Sequence, residues 1–257
     1  MTASLSDCFL RLDRAEKHLE VLYEQVPAYI ESYPYELSGE FEVKGEWRIA
    51  RFWIRKPPDP QWAILVSEFV HHLRAALDNL IWQLVLLNEA EPWDRNQFPV
   101  YTKRAPGPRR MDDMLRGVSA EHRAVIEDLQ PYKLPGSPIK RALARLVELS
   151  NIDKHRSLHP TLTWSREAPM PTVSVTPPSA KLNLEVHHRQ GPLHDGADVY
   201  WYRLKTSEKA QVHVEGFLPV EVAFGETATG GVGGDALDEL RLRVLGIAEH
   251  FGRDFPT

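Results

Sequence analysis

The chain has a single cysteine, Cys8, among 257 residues. That excludes an intrachain disulfide and a zinc centre built from several thiolates, and it fits a reducing compartment. Long hydrophobic runs are missing as well. The densest, Ile81 to Leu87, is interrupted by Gln83, and a membrane helix needs roughly 20 apolar residues. The start of the chain lacks the basic residues and apolar centre of a secretory signal, so a cytoplasmic protein with no membrane partner is the expectation. Internal repeats and low-complexity tails are absent. So is a strong excess of one charge: 31 Lys and Arg face 36 Asp and Glu, for a net charge of -5. This argues against a general nucleic-acid coat.

The charge is unevenly spread. Residues 101–160 hold 12 Lys or Arg and 7 Asp or Glu, which makes that stretch +5 and the remainder -10. Lys103, Arg104, Arg109 and Arg110 fall in a Pro/Gly loop free of acids. Such a loop suits contact with phosphates, as does Arg156; a solvated surface loop is the bland alternative.

What is present is the makeup of an ordinary globular domain, 42% hydrophobic and 26% charged, enough for a full core. Phe9, Leu12, Leu19, Leu22, Val26 and Tyr29 recur at helical spacing over 4–31, with Pro27 expected to kink or end that helix. Tyr35–Lys44 and Glu46–Lys56, separated by Gly45, read as a β-hairpin. Val66, Val70, Leu73, Leu77, Leu80, Leu84 and Leu87 step by four or three through a 60–89 helix. Short helices are expected at 111–115 and 119–129. Ser137-Pro138 opens a 137–157 helix, serine as cap and proline in the first turn. Residues 161–224 look β-rich, with strands at Val173–Val175, Leu182–His187, Val199–Leu204 and Val212–Val222. Gly230–Gly234 reads as a flexible joint before a 235–252 helix, and it lacks the Lys-Ser/Thr of a phosphate loop. The expected fold is α+β in one domain: a bundle of about four long helices with an antiparallel β-sheet packed on its side. The amphipathic bundle helices also offer surfaces for oligomerisation.

Two helices carry polar residues where a core face should run. Ser67, His71, Arg74 and Asp78 step by four, three and four along the 60–89 helix, at the edge of its leucine stripe. In the 137–157 helix, Ile139, Ala142, Leu146 and Leu149 lead by the same steps to Asp153, a carboxylate that needs a partner if buried. Arg156 and Arg74 are the arginines at hand, and Asn151, Lys154 and His155 lie beside it. One reading is a polar lock between helices, with Arg74 and Asp78 as an i,i+4 ion pair. The second is a catalytic site of His71, Arg74, Asp78, Asn151, Asp153, Lys154 and His155. Without a thiol, that set suits a phosphate: His155 or His71 moves a proton while Arg74 and Lys154 hold the anion, as metal-free RNA cleavage requires. The third is a metal site of His71, Asp78, Asp153 and His155, whose N/O donors suit zinc, manganese or iron. Their spacings form no familiar metal motif, so no metal or cofactor is expected. Whether the chain is an enzyme or a binding and regulatory module stays open at this point; the partner expected in either case is RNA or a phosphate-bearing ligand.

The order Leu73-Arg74-Ala75-Ala76-Leu77-Asp78, Phe98-Pro99, Leu129-Gln130-Pro131-Tyr132 and Asn151-Ile152-Asp153-Lys154-His155-Arg156 resembles a family of uncharacterised bacterial proteins. The resemblance covers about residues 60–160 and implies a bacterial cytosolic origin but no activity. In architecture the plan distantly resembles the HEPN group of helical-bundle ribonucleases, whose motif is an arginine and a histidine with four to six residues between them. Arg11 to His18, Arg116 to His122, Arg189 to His194 and Arg243 to His250 all match that spacing. No catalytic residue is carried over from it.

Overall fold

The computed structural model describes residues 2–37, 42–44, 47–103, 108–133, 136–164, 172–176, 183–188, 191–205, 211–215, 220–225 and 231–256. They fall into two compact units. The first comprises residues 1–23, 61–158 and 234–257, and the second 24–60 and 159–233. The fold is of the α+β kind, with antiparallel strands and long helices.

The first unit holds α1 (Ser6–Glu31) as far as Tyr23, then α2 (Gln61–Leu87), α3 (Pro108–Met114), α4 (Ala120–Asp128), α5 (Pro138–His155) and α6 (Gly234–Gly252). Helix α2 is the hub. Val66, Phe69, Leu73, Ala76, Leu80, Leu84 and Val85 are all fully buried, so its apolar surface covers a wide arc rather than one stripe, the mark of a helix enclosed by others. Truncating Leu73 or Leu80 to alanine would open a cavity costing about 2–5 kcal/mol. Helix α2 packs on α5 and α6, and α5 packs on α6. Helix α1 runs antiparallel to α2: the Ser4 amide donates to Gln83 Oε1 at 3.0 Å, and the Cys8 thiol to the Ala76 carbonyl at 3.4 Å.

Pro27 does not end α1, which continues to Glu31. Only one turn follows the proline, and that turn is held by the Tyr29 hydroxyl, which donates to the Lys56 carbonyl at 2.7 Å. Arg109 and Arg110 are not in a loop as expected. They lie in α3, which Pro108 opens, its fixed φ suiting the first helical position. Arg104 lies outside the described residues. Ser119 caps α4 by accepting from the His122 amide at 3.2 Å.

The second unit is mainly β. Strands β1 (Tyr35–Leu37) and β2 (Glu42–Lys44) both pair with β3 (Trp47–Ile54), so the expected hairpin is three strands. The remaining strands are β4 (His159–Trp164), β5 (Thr172–Thr176), β6 (Asn183–His188), β7 (Ala197–Lys205), β8 (Gln211–Glu215) and β9 (Val220–Gly225). The largest sheet runs β1-β3-β7-β6, while β4 pairs with β9 and β5 with β8. The expected strand Val212–Val222 is therefore two. Pro160 lies inside β4, opposite Phe224; residues 191–193 bond the other edge of β4 only at Leu162 and Trp164, so no N–H is needed at position 160. The register of β3 on β7 shifts between Ala50 and Arg51, where Arg51 Nε reaches Asp198 at 2.8 Å.

The expected glycine joint is tied down where it is described. Phe224 and Val232 exchange two backbone hydrogen bonds, at 3.0 and 2.8 Å. A Cβ at Gly231 would fall 2.7 Å from the Phe224 nitrogen, so the glycine there serves close approach of two backbones. Among the described residues, no helix is long and apolar enough to cross a membrane.

Candidate functional site

The two polar lines meet in the first unit. The Ser67 hydroxyl on α2 donates to Asp153 Oδ1 on α5. The apolar stripe of α5 thus ends on a carboxylate whose partner is a serine rather than the arginine expected from the sequence. Arg156 sits beyond, exposed, where its backbone amide closes α5 on the Ile152 carbonyl at 2.7 Å.

Two turns further along α2, Arg74 and Asp78 pair at 3.0 Å, an i,i+4 bridge. They also grip the main chain of the segment that follows α2. Arg74 Nη2 donates to the Phe98 carbonyl at 2.6 Å, and Asp78 Oδ1 accepts from the Phe98 amide at 2.9 Å. Both backbone groups of one residue are thereby satisfied by side chains four apart on a helix. The Phe98 ring is fully buried. Burial pushes the Asp78 carboxyl up, while Arg74, the Phe98 amide and the Lys154 ammonium each pull it back down. Lys154 therefore brings a charge from α5 to the same place. The other guanidinium nitrogen of Arg74, Nη1, is buried without a hydrogen-bond partner.

Gln130 completes the arrangement. It is fully buried, donates to the carbonyls of Pro99 and Ile126 at 2.8 and 3.0 Å, and accepts from the Tyr101 amide at 3.0 Å. Residues 98–101 form a strap with no ladder of its own, held by Arg74, Asp78 and Gln130. Sequence reasoning grouped Phe98-Pro99 and Gln130-Pro131 as motifs but assigned Gln130 no role. The signal available was a glutamine after a short helix, too slight to locate a contact 31 residues away.

The other candidates are placed differently. His71, Asn151, Lys154 and His155 are exposed. His71 lies edge-on to His72, ring centroids 5.8 Å apart. Asn151 and His155 make no hydrogen bond or ion pair with a described residue. Lys103 is exposed in the strap's continuation, and Arg110 is exposed on α3. Nothing is described of the Arg109 side chain. Among the described residues, no group of three or more His, Cys, Asp or Glu is placed to hold a metal ion.

A second polar cluster lies where α1 faces α2. The His18 and His72 rings stack at 5.6 Å and 17°, and His18 Nδ1 is 3.4 Å from Glu68 Oε2. His18 Nε2 and His72 Nδ1 are buried without partners. Both rings titrate below their ordinary range, chiefly because burial disfavours the imidazolium. Glu68 opposes this at His18, whereas at His72 the charges of His18, His71, Arg11 and Arg14 add to it.

No family model, no curated protein and no solved structure matches this chain.

Proposed function

We propose that the chain is a non-enzymatic binding module for a phosphate-bearing partner, in which the α2–α5 polar residues lock the fold rather than perform chemistry. The observation that supports this is the double grip of Arg74 and Asp78 on the Phe98 backbone. A catalytic carboxylate or guanidinium must be free for substrate, whereas Asp78 Oδ1 and Arg74 Nη2 are occupied by main chain and Arg74 Nη1 is buried. Nor is a base oriented for proton transfer: His71 and His155 are exposed, and a general base needs a partner that fixes its ring. The exposed Lys103 and Arg110, in the net-positive stretch, supply the affinity for phosphate. One bundle formed by the four long helices belongs to the same reading.

The test is to incubate the purified protein with single-stranded RNA and follow both cleavage and retention. Retention without cleavage is expected, and it should weaken as salt rises. Cleavage abolished by both His155→Ala and Arg74→Ala would replace this reading with a phosphoester-cleaving enzyme.

A further inference from the structure

The outer side of the α1–α2 seam gathers positive charge that the fold leaves unmatched. Asp7, Leu10, Arg11 and Arg14 fall at helical spacing on one side of α1. With His72 of α2 they line an open hollow of about 270 Å³. Arg11 is half-buried and Arg14 exposed. Neither makes an ion pair or a hydrogen bond with a described residue, and Asp7, on the same rim, pairs with neither of them. Glu68, the carboxylate on the α2 side, already faces His18 at 3.4 Å.

His72 adds a third donor from the second helix. Its Nδ1 is buried without a partner. Its Nε2 has no partner among the described residues either, and it is not shut off from solvent. Burial first, and then the charges of His18, His71, Arg11 and Arg14, disfavour protonation of this ring. Two unpaired guanidinium groups and an idle imidazole nitrogen thus share one hollow. A lone surface arginine is content with water. Three donors from two helices define a geometry, and a planar carboxylate with a single charge cannot serve them all. A phosphate group offers three oxygens and up to two charges, and guanidinium groups bind it through paired N–H bonds. The hollow is smaller than the roughly 300–1,000 Å³ of drug-sized sites. Leu10 is the single aliphatic side chain in its lining, so the space suits a phosphate group rather than a bulky organic body.

We propose that this hollow holds a phosphate group, free or at the end of a monoester, on the guanidinium groups of Arg11 and Arg14 and the Nε2–H of His72. The site is distinct from Lys103 and Arg110, which lie outside α1 and α2 and carry the reading above. A bound anion offsets the positive charges around the His72 ring. It must therefore raise the pH at which that ring titrates, because a nearby opposite charge favours the imidazolium.

The test is to titrate the full chain with inorganic phosphate, phenyl phosphate and acetate, with ionic strength held constant by sodium chloride. Histidine ring resonances are followed by NMR, and His72→Gln identifies the His72 signal. Both phosphates should shift that signal saturably and move its titration midpoint upward, while acetate does neither. Equal affinity for the two phosphates would assign the site to the free ion, and tighter phenyl phosphate to a monoester resting on Leu10. Arg11→Gln and Arg14→Gln should each weaken binding about tenfold, the effect of one charge-assisted contact. Lys17→Gln removes an exposed charge from the same helix outside the lining, and should change affinity less than about twofold because salt screens it. Should Arg11→Gln fail to fold, the exposed Arg14 keeps the test open. No saturable shift, an equal response to acetate, an unmoved His72 midpoint, or equal losses from Lys17→Gln and the arginine variants would overturn the proposal. RNA retention through Lys103 and Arg110 is measured separately, so the two readings fail independently.

Discussion

Helix α2 meets polar groups on two sides, and the sides solve the same difficulty in opposite ways. Towards the strap and α5, both carboxylates are answered: Asp78 by Arg74 and the Phe98 amide, Asp153 by Ser67. Towards α1, the buried nitrogens of His18 and His72 have no partner. The difference lies in what each group can shed. A guanidinium cannot lose its proton in a protein, so Arg74 is held through Nη2 by two acceptors, Asp78 and the Phe98 carbonyl, although its Nη1 stays buried without one. An imidazole can become neutral near physiological pH, so it tolerates burial by releasing its proton.

The largest effect that would sharpen this contrast is expected at Asp78. Asp78→Ala leaves the Phe98 amide without an acceptor and a half-buried guanidinium without its counter-charge, and should cost about 3 kcal/mol in denaturant unfolding. A loss under about 0.5 kcal/mol, the scale of an exposed ion pair, would show that the grip is incidental. Next comes the pH dependence of the α1–α2 side. The folded-state pKa of His18 and His72 is depressed, so the unfolded chain takes up protons first as pH falls. Their contribution is therefore complete above the unfolded value near 6.5 and lost as pH falls through the folded values. Equilibrium unfolding between about pH 8 and pH 5 should show falling stability, and His72→Phe should flatten that fall. A profile unaltered by the substitution would assign the acid sensitivity elsewhere. The smaller effect is at Ser67 and Asp153. Because the partner is a hydroxyl and not a buried arginine, Asp153→Ala should cost only about 1–1.5 kcal/mol. In a double-mutant cycle with Ser67→Ala, the coupling should be close to about 1 kcal/mol. The smallest is at Cys8, whose thiol burial pushes up to about 12. It should resist a thiol reagent in the folded protein and react once the chain is denatured.

How far the sequence could be read depended on whether a signal was periodic. The α2 stripe from Val66 to Leu87 located that helix to within two residues at either end, because burial on a helix imprints a regular spacing. The polar line Ser67–Asp78 was visible for the same reason. The identity of each partner was not. Asp153 looked towards arginine because charge suggests charge, yet the contact depended on which side chain α2 presents opposite the last turn of α5. Lys140 was hidden differently. The stripe Ile139–Ala142–Leu146–Leu149 left it out, but the buried face of α5 includes Lys140 and Leu143 while Ile139 is only half-buried. Arg109 and Arg110 were read as loop because prolines and a glycine precede them, although Pro108 is also what a helix start looks like. Gln130 works through main-chain atoms of a distant segment, and such contacts leave no pattern in the residues they touch.

The Arg74–Asp78 grip also fixes alignment along the chain. Asp78 requires an N–H, and the residue after Phe98 is Pro99, which has none. Sliding the segment back by one position would set an imide nitrogen before the carboxylate and move the phenyl ring out of its pocket. Proline thus acts as a key that admits a single threading of this stretch across the helix, and length changes on either side must be absorbed outside residues 98–101.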